Sequence, residues 1–157
     1  RQISGHPFLS KLGPDVLSAD AEQIRVQLDG ERFHRRRLAS LLLDQGFLAG
    51  VGNYLRSEIL FVARLHPDRR PADCDDEELR GLAAAARAVS LQSYRHNGVT
   101  NDLQIARALR ADGQSRGQYR HWVFARGGQP CRICGTRVIG ALAASRRIYH
   151  CPVCQPV

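Results

Sequence analysis

The sequence lacks several features that mark common protein classes. No run of about 18 consecutive apolar residues occurs, which excludes an ordinary membrane-spanning helix. No basic segment followed by an apolar one stands near its start, so nothing indicates a secretory signal and we expect a cytoplasmic protein that does not span a membrane. No internal repeat is evident. The 43% hydrophobic and 24% charged fractions indicate one globular domain or two small ones.

Lysine is nearly absent, because Lys11 is the only lysine among 23 basic residues. Acidic residues do not balance the arginines, and the formal net charge is +8 at pH 7. Residues 101–157 are the most basic part, with nine arginines and two acidic residues. A positive surface concentrates polyanions, and the arginine fork matches phosphate oxygens. The composition therefore favours nucleic acid or an anionic membrane surface as the partner.

Cysteine is also scarce, but four of the five cysteines form two Cys-x-x-Cys pairs: Cys131, Cys134, Cys151 and Cys154. The sixteen residues between the pairs suffice for a hairpin that returns the second pair beside the first. Four thiolates fill a tetrahedral zinc shell, so the spacing predicts one structural Zn²⁺ ion. Two disulfides or an iron site are the alternatives. Cys74, in an acidic turn, is interpreted as a surface thiol.

Apolar residues recur at helical spacing through most of the first two thirds of the chain. Helices are predicted over residues 21–28, 38–45, 54–65 and from 75 towards 94. Leu55, Ile59 and Val62 form the predicted buried face of the third helix. Residues 99–118 are irregular, polar and basic, so we expect a loop there with one helical turn over 105–109.

Three glycines within seven residues, Gly46, Gly50 and Gly52, are too many for a helix interior and predict a tight double turn. A glycine turn at a helix N-terminus lets bare N–H groups approach an anion. Gly50, Gly52 and Asn53 therefore form a candidate phosphate-binding site. Capping of the helix by Asn53, without any ligand, is the alternative.

Strands are predicted over residues 122–126, 136–143 and 147–150, the last two forming a hairpin between the cysteine pairs. Three arginines lie between the cysteine pairs, and the hairpin would project some of them towards phosphates: Arg137, Arg146 and Arg147. A solvated surface without any phosphate contact is the alternative. The sequence thus predicts a helical domain over residues 1–118 and a small metal-stapled β module over 119–157.

The stretch Leu41-Leu-Leu-Asp-Gln-Gly-Phe-Leu-Ala-Gly-Val-Gly-Asn-Tyr-Leu-Arg-Ser-Glu-Ile-Leu60, with the terminal four-cysteine ribbon, resembles the C-terminal half of the bacterial formamidopyrimidine-DNA glycosylase and endonuclease VIII family. The motif Asn53-Tyr-Leu-Arg56 is more similar to the endonuclease VIII branch. The resemblance implies a mainly α fold, with a helix-two-turns-helix bundle followed by a small β-hairpin zinc ribbon.

The resemblance implies a bifunctional DNA glycosylase/AP lyase of base-excision repair, which removes oxidised bases, pyrimidines in this branch, and cleaves the backbone by β,δ-elimination. It implies a monomer in the bacterial cytoplasm, associated with the nucleoid, that binds double-stranded DNA with oxidised or abasic lesions. The family's nucleophile is an N-terminal proline in a Pro-Glu-Gly-Pro-like opening, whereas this sequence begins Arg1-Gln2-Ile3. We therefore expect the N-terminal catalytic domain to be absent from these residues.

The resemblance also implies roles for three individual residues of this sequence. Asn53, after Gly52, matches the family's phosphate-binding asparagine. Arg146, five residues before Cys151, matches the zinc-hairpin arginine that contacts phosphate at the lesion and is associated with δ-elimination. Lys11 falls where the endonuclease VIII branch has a DNA-contacting arginine.

Two other functions compete with this interpretation. A non-enzymatic zinc-ribbon protein that binds nucleic acid would share the same motifs. A lyase could instead use Lys11 as its Schiff-base amine, but nothing in the sequence around this lysine would depress its pKa.

Overall fold

The structure is a computed structural model that describes residues 12–157, so Lys11 lies outside the described residues. Helices dominate the described part of the chain, and no helix there is both long and apolar enough to cross a bilayer. The elements are α1 Ala21–Leu28, α2 Leu38–Leu41, α3 Asn53–Ala63, a 3-10 turn Pro71–Asp73, α4 Asp76–Arg95, α5 Leu103–Ala111, α6 Arg116–Tyr119, β1 Ile139–Ala143 and β2 Arg146–His150. The predicted mainly α fold with a terminal hairpin is confirmed.

Reciprocal side-chain bonds fix the starts of α1 and α4. Asp20 accepts from the N–H of Gln23 at 2.8 Å, and the Gln23 amide accepts from the N–H of Asp20 at 2.9 Å. Asp75 and Glu78 form the same capping box at α4, with distances of 2.7 and 3.1 Å. These bonds satisfy N–H groups that have no partner inside the helix. Helix α4 then packs against both α1 and α3.

The predicted double turn lies between α2 and α3 and is built by side chains. Asp44 accepts from the N–H of Gly46 at 2.8 Å, and Gln45 accepts from the N–H of Gly50 at 3.0 Å. These local bonds offer the backbone an alternative to the helix, so α2 ends at Leu41 and not at the predicted residue 45. Gly50 has φ +97°, which glycine adopts without steric cost.

Helix α3 forms the centre of the molecule and is buried continuously from Leu55 to Phe61. Ile59 belongs to the main apolar core, which also includes Ile148 of the hairpin. Phe61 lies instead in a second apolar cluster together with buried residues of the cysteine module. Leu55 and Ile59 of the predicted buried face are buried, but the prediction is wrong at Val62, which is 41% exposed. The helix is enclosed on several sides, and helical spacing by itself does not identify all of them.

The prediction of a loop over residues 99–118 is wrong, because the segment contains α5 and α6. Asp102 starts α5 by accepting from the N–H groups of Gln104 and Ile105 at 2.9 and 3.0 Å. Only Ala106 of α5 is buried. The segment from Leu103 to Ala111 nevertheless has a clear amphipathic pattern, so the sequence contained a signal for α5 that the loop prediction overlooked.

The strand predicted over residues 122–126 is also wrong, since this segment forms irregular turns. Three successive N–H groups donate to the buried carboxylate of Glu58, at 2.6, 2.9 and 3.2 Å: those of Trp122, Val123 and Phe124. The hydroxyl of Thr100 donates to the same carboxylate, and Nδ1 of His121 lies 3.6 Å from it. The carboxylate thus accepts the N–H hydrogen bonds that the carbonyls of a neighbouring strand would accept in a sheet.

The predicted hairpin is confirmed, although β1 begins later than predicted and β2 one residue earlier. Its strands pair antiparallel, with Ala141 opposite Ile148 and Leu142 opposite Arg147. Ala144 and Ser145 join them with φ of 54° and 61°. Two successive residues at positive φ give the tight two-residue turn whose twist matches the strands.

Replacing Glu58 with glutamine should lower stability and flatten its dependence on pH. Burial by itself raises the pKa of Glu58, but the adjacent imidazole of His121, with hydrogen bonds from Thr100 and Val123, holds that pKa below its usual 4.5. The carboxylate's contribution is complete above 4.5 and is lost as pH falls through the lower folded value. We expect urea unfolding to show a loss of about 3 kcal/mol at pH 7 and much less near pH 3.

The exposed Glu77, in the first turn of α4, provides the control. Glu77→Gln should change the free energy of unfolding by less than about 0.5 kcal/mol at either pH. An equal loss for Glu58→Gln at pH 7 and pH 3 would contradict the assigned role of the charge.

Candidate nucleic-acid interface

The two Cys-x-x-Cys pairs meet beside the hairpin, and their four Sγ atoms all lie within 4.8 Å of one another. The Sγ atoms of Cys131 and Cys154 are 3.8 Å apart, and those of Cys134 and Cys151 are 3.4 Å apart. Zinc–sulfur bonds of about 2.3 Å in a tetrahedron put the sulfurs about 3.8 Å apart. A disulfide would require about 2.0 Å. The four cysteines could therefore hold a metal ion.

The surroundings of these thiols differ. Hydrogen bonds with Thr136 lower the pKa of Cys134 to about 6. Burial raises the pKa of Cys154 to about 12 and also raises the pKa of Cys151. A buried thiol becomes a thiolate readily only when a cation compensates the charge. This donor set fits a divalent cation that prefers sulfur ligands.

Gln155 attaches the cysteine module to the chain that follows α3. Its side chain is fully buried; the amide oxygen accepts from the N–H of Cys151 at 2.8 Å, and the amide nitrogen donates to the carbonyl of Leu65 at 3.0 Å. Sequence reasoning missed this residue. A single glutamine after the last cysteine produces no periodicity, so the only available signal is its position.

Gly52 and Asn53 lie at the start of α3, but the N-cap is Gly52 and not Asn53. Glycine has no side chain, so the first N–H groups of α3 have no side-chain cap. Gly52 is exposed, and a Cβ added to it would meet nothing within 4 Å among the described residues. The expected capping role of Asn53 is therefore wrong, and an uncapped helix N-terminus faces open space, as an anion requires.

The Asn53 side chain points towards the hairpin. Its amide nitrogen donates to the carbonyl of Arg147 at 3.1 Å, and its amide oxygen accepts from Arg56 at 2.9 Å. Asn53 therefore connects the start of α3 to strand β2, and its position depends on Arg56.

Arg56 is fully buried and connects α3 to both strands of the hairpin and to α2. Its Nη1 atom donates to the carbonyls of Ala39 and Ala143, at 2.8 and 3.0 Å. Its Nη2 atom donates to the carbonyls of Arg146 and Arg147, at 3.2 and 3.3 Å. We call this set of contacts, together with Asn53, the Arg56 junction.

Burial, and then repulsion from Arg146, lower the pKa of Arg56 to about 10, so the guanidinium remains charged at neutral pH. Sequence reasoning missed Arg56 as a site residue. The available signal was an arginine between Leu55 and Ile59, both of which are buried. A charged residue inside an apolar helical stretch requires a buried partner.

Arg146 begins β2 with an exposed side chain, directly beside the Arg56 junction. Alternation along the strand puts Arg146 on the same face as the buried Ile148 and Arg147 on the opposite face with Leu142. The structure thus brings Arg146 and Asn53 to one junction although they lie far apart in the sequence. Arg137 is exposed and lies outside the two strands.

A model of the formamidopyrimidine-DNA glycosylase H2TH domain matches residues 12–104. The chain belongs to this family. The resemblance to the C-terminal portion of formamidopyrimidine-DNA glycosylases and endonuclease VIII enzymes is confirmed. Endonuclease 8 of Klebsiella pneumoniae is 40% identical over 156 residues, which are 98% of this chain and 56% of that protein. Endonuclease 8 of Pectobacterium carotovorum is 39% identical over 155 residues, again 98% of this chain and 56% of that protein.

Solved structures of the family share the fold. The MutM (Fpg) protein from Thermus thermophilus superimposes with a TM-score of 0.77 at 36% identity, covering 99% of this chain and 58% of that one. A MutM structure in complex with DNA containing carbocyclic 8-oxo-G has a TM-score of 0.76 at 22% identity, covering 98% and 55%. The chain therefore spans a little over half the length of these family members.

Replacing Arg56 with lysine should loosen the hairpin while keeping the charge. An ammonium group cannot reach the carbonyls of α2 and of both strands at once, because it lacks the planar fork. We expect a loss of about 2 kcal/mol in the free energy of unfolding and faster hydrogen exchange of the β1 and β2 amides.

The exposed Arg147 on β2 gives a control with the same type of substitution. Arg147→Lys should change stability by less than about 0.5 kcal/mol. Unchanged hairpin exchange in Arg56→Lys would show that the junction does not hold the hairpin.

Proposed function

We propose that this chain is the DNA-binding portion of a base-excision repair DNA glycosylase/AP lyase that grips phosphates around a flipped-out nucleotide. The observation that carries the proposal is the Arg56 junction, which holds Asn53 and the Arg146 end of β2 together. A base inside a duplex becomes reachable only after its nucleotide rotates out of the stack. The protein must then hold the distorted backbone firmly, and two linked phosphate contacts serve that purpose.

Three kinds of donor meet at the junction. The uncapped N-terminus of α3 offers backbone N–H groups. The Asn53 amide uses one hydrogen for the carbonyl of Arg147 and has a second available for a phosphate oxygen. Arg146 adds an exposed planar fork that matches phosphate geometry.

We further propose that the four thiolates hold one structural Zn²⁺ ion in a ribbon over residues 119–157, attached to a helical domain over residues 1–118. When bound, zinc links the two cysteine pairs and supplies folding free energy to a module with a small apolar core. Four protein ligands leave no open position for a substrate. The ion therefore supports Arg146 indirectly, by fixing the hairpin.

For the whole protein we propose removal of oxidised bases, with pyrimidines favoured, and β,δ-elimination at the abasic site. The similarity to Endonuclease 8 of Klebsiella pneumoniae supports this choice. Arg146 would contact the phosphate at the lesion during the δ step, and the amine nucleophile would lie outside these 157 residues. We expect the protein to bind lesion-containing double-stranded DNA as a monomer. Family membership favours this function over a non-enzymatic zinc-ribbon protein.

Binding to a duplex with an abasic-site analogue tests the grip. Asn53→Ala and Arg146→Ala should each raise Kd by about tenfold, the effect of about 1.4 kcal/mol. Arg146→Ala should also lower the salt slope by about one counterion. Fluorescence anisotropy of a labelled duplex, titrated with protein between 50 and 200 mM salt, measures both the Kd and the salt slope.

Arg147→Ala removes the same charge from the opposite face of the hairpin and should leave Kd within about twofold of the unaltered protein. An Arg147→Ala defect as large as that of Arg146→Ala would contradict the proposed grip. Borohydride trapping of the complete protein on abasic DNA separates the enzyme from the non-enzymatic alternative, which predicts no covalent adduct. Loss of the adduct in Lys11→Ala would support the lysine instead.

Metal analysis should find one zinc per chain. Cys151→Ser, or a strong chelator, should remove the ion, lower the melting temperature and abolish tight DNA binding, because the hairpin loses its staple. Cys74→Ser is the control, because Cys74 lies apart from the cluster, so this substitution should leave the zinc content unchanged. Zinc retained at one per chain in Cys151→Ser would refute the four-thiolate site.

A further inference from the structure

A cavity of about 280 Å³ lies where the end of α4 meets α5 and α6. Four exposed arginines line it: Arg95, Arg107, Arg110 and Arg116. Its floor is apolar, with Val99 and Ala106 both buried. No carboxylate is among the described residues that line it. We call this feature the arginine cavity.

The charges of the arginine cavity are not neutralised within the described part of the chain. Several arginines elsewhere pair with a carboxylate there: Arg25, Arg36, Arg69 and Arg80. None of the four cavity arginines has such an ion pair among the described residues. Like charges around one small space repel each other. A bound anion would relieve this repulsion and so would be favoured.

Backbone contacts hold part of the arginine cavity in position. Gly98 has φ +84°, and a Cβ there would lie 2.9 Å from Nη2 of Arg120 and 3.0 Å from Nη2 of Arg116. Arg116 donates to the carbonyl of Asn97, and Nε of Arg120 donates to the carbonyl of Gly98 at 3.4 Å. The absence of a side chain at Gly98 lets both guanidinium groups pack on the backbone. Such pre-ordering lowers the entropy lost when a ligand binds.

Arg120, which packs on Gly98 beside the arginine cavity, also contacts the first turn of α3. The guanidinium carbon of Arg120 lies 5.2 Å from the centre of the Tyr54 ring, a cation–π contact. The Tyr54 hydroxyl is bonded to the hydroxyl of Ser93 at 2.6 Å, which fixes the ring against α4. Tyr54 follows Asn53 directly in the sequence. A polyanion that contacts Asn53 can therefore continue over Tyr54 and Arg120 to the cavity.

We propose that the arginine cavity binds a phosphodiester of the DNA strand that passes the start of α3, as a backbone contact separate from Asn53 and Arg146. Arginine forks bind phosphate oxygens in pairs. The volume lies just below the range of about 300 to 1,000 Å³ typical of ligand pockets. It therefore suits one phosphate with part of its sugar. That the anion belongs to DNA rests on the function proposed above, whereas phosphate binding does not.

The double substitution Arg107→Gln/Arg110→Gln tests the site, because these residues are three apart on one side of α5 and are exposed. With undamaged duplex, we expect the salt slope to fall by about two counterions and Kd at 150 mM salt to rise about tenfold or more. Arg70→Gln/Arg80→Gln is the matched control. It removes two exposed charges near the other end of α4, with Arg80 about 20 Å from Arg95 along the helix. The control should keep the slope within about half a counterion and Kd within about threefold.

Inorganic phosphate provides the second measurement. Titration of the unaltered protein, followed by amide NMR, should shift the resonances of Gly98 and Ala106 saturably, and the cavity variant should lose these shifts while keeping its melting temperature. An unchanged salt slope in the cavity variant, or a control variant equally affected, would overturn the proposal. Phosphate binding without an effect on duplex affinity would overturn the DNA assignment. If Asn53→Ala and Arg146→Ala leave binding intact while the cavity variant weakens it, the cavity stands and the proposed grip fails.

Discussion

The buried guanidinium of Arg56 is the interaction on which the rest of the interface depends. It sits inside α3 without a carboxylate partner among the described residues and is stabilised by backbone carbonyls of α2, β1 and β2. Removing an arginine from water is costly, so these bonds must all be present together. That requirement fixes the hairpin against the helix and sets the positions of Asn53 and Arg146. A side chain that need not touch DNA thus determines where two candidate DNA contacts lie.

Two residues further along α3, Glu58 is a buried anion that is stabilised by backbone N–H groups. Its carboxylate accepts hydrogen bonds from three N–H groups of residues 122–124. This segment is neither helical nor part of a sheet, so these N–H groups need a side-chain acceptor. Arg56 therefore fixes carbonyl groups of α2 and the hairpin, and Glu58 fixes N–H groups of residues 122–124. Both residues lie on α3. Because each ion is matched by backbone dipoles, the helix can be buried through its middle despite two charges. The cysteine module can then rest on Phe61 without a large core of its own.

The candidate site was predictable wherever chemistry requires a residue type at a fixed spacing. The four cysteines, Gly52, Asn53 and Arg146 all belong to recognisable local patterns. Arg56, Glu58 and Gln155 could not be assigned in the same way, because their partners lie far away in the sequence. The arginines of α5 were visible as charge but not as a lined cavity, since the helix that presents them buries only Ala106.

The sequence by itself determined the helical class, the two cysteine pairs that could hold a metal ion, the hairpin between them and the basic character of the chain. These follow from local spacing and composition, which act over a few residues. Only the tertiary structure decided that residues 122–126 form turns on Glu58, that the N-cap of α3 is the bare Gly52, and that Asn53 meets β2 through Arg56. The physical reason is the same in each case. Buried polar groups must find partners, and those partners are chosen by packing between distant segments, which local periodicity does not encode.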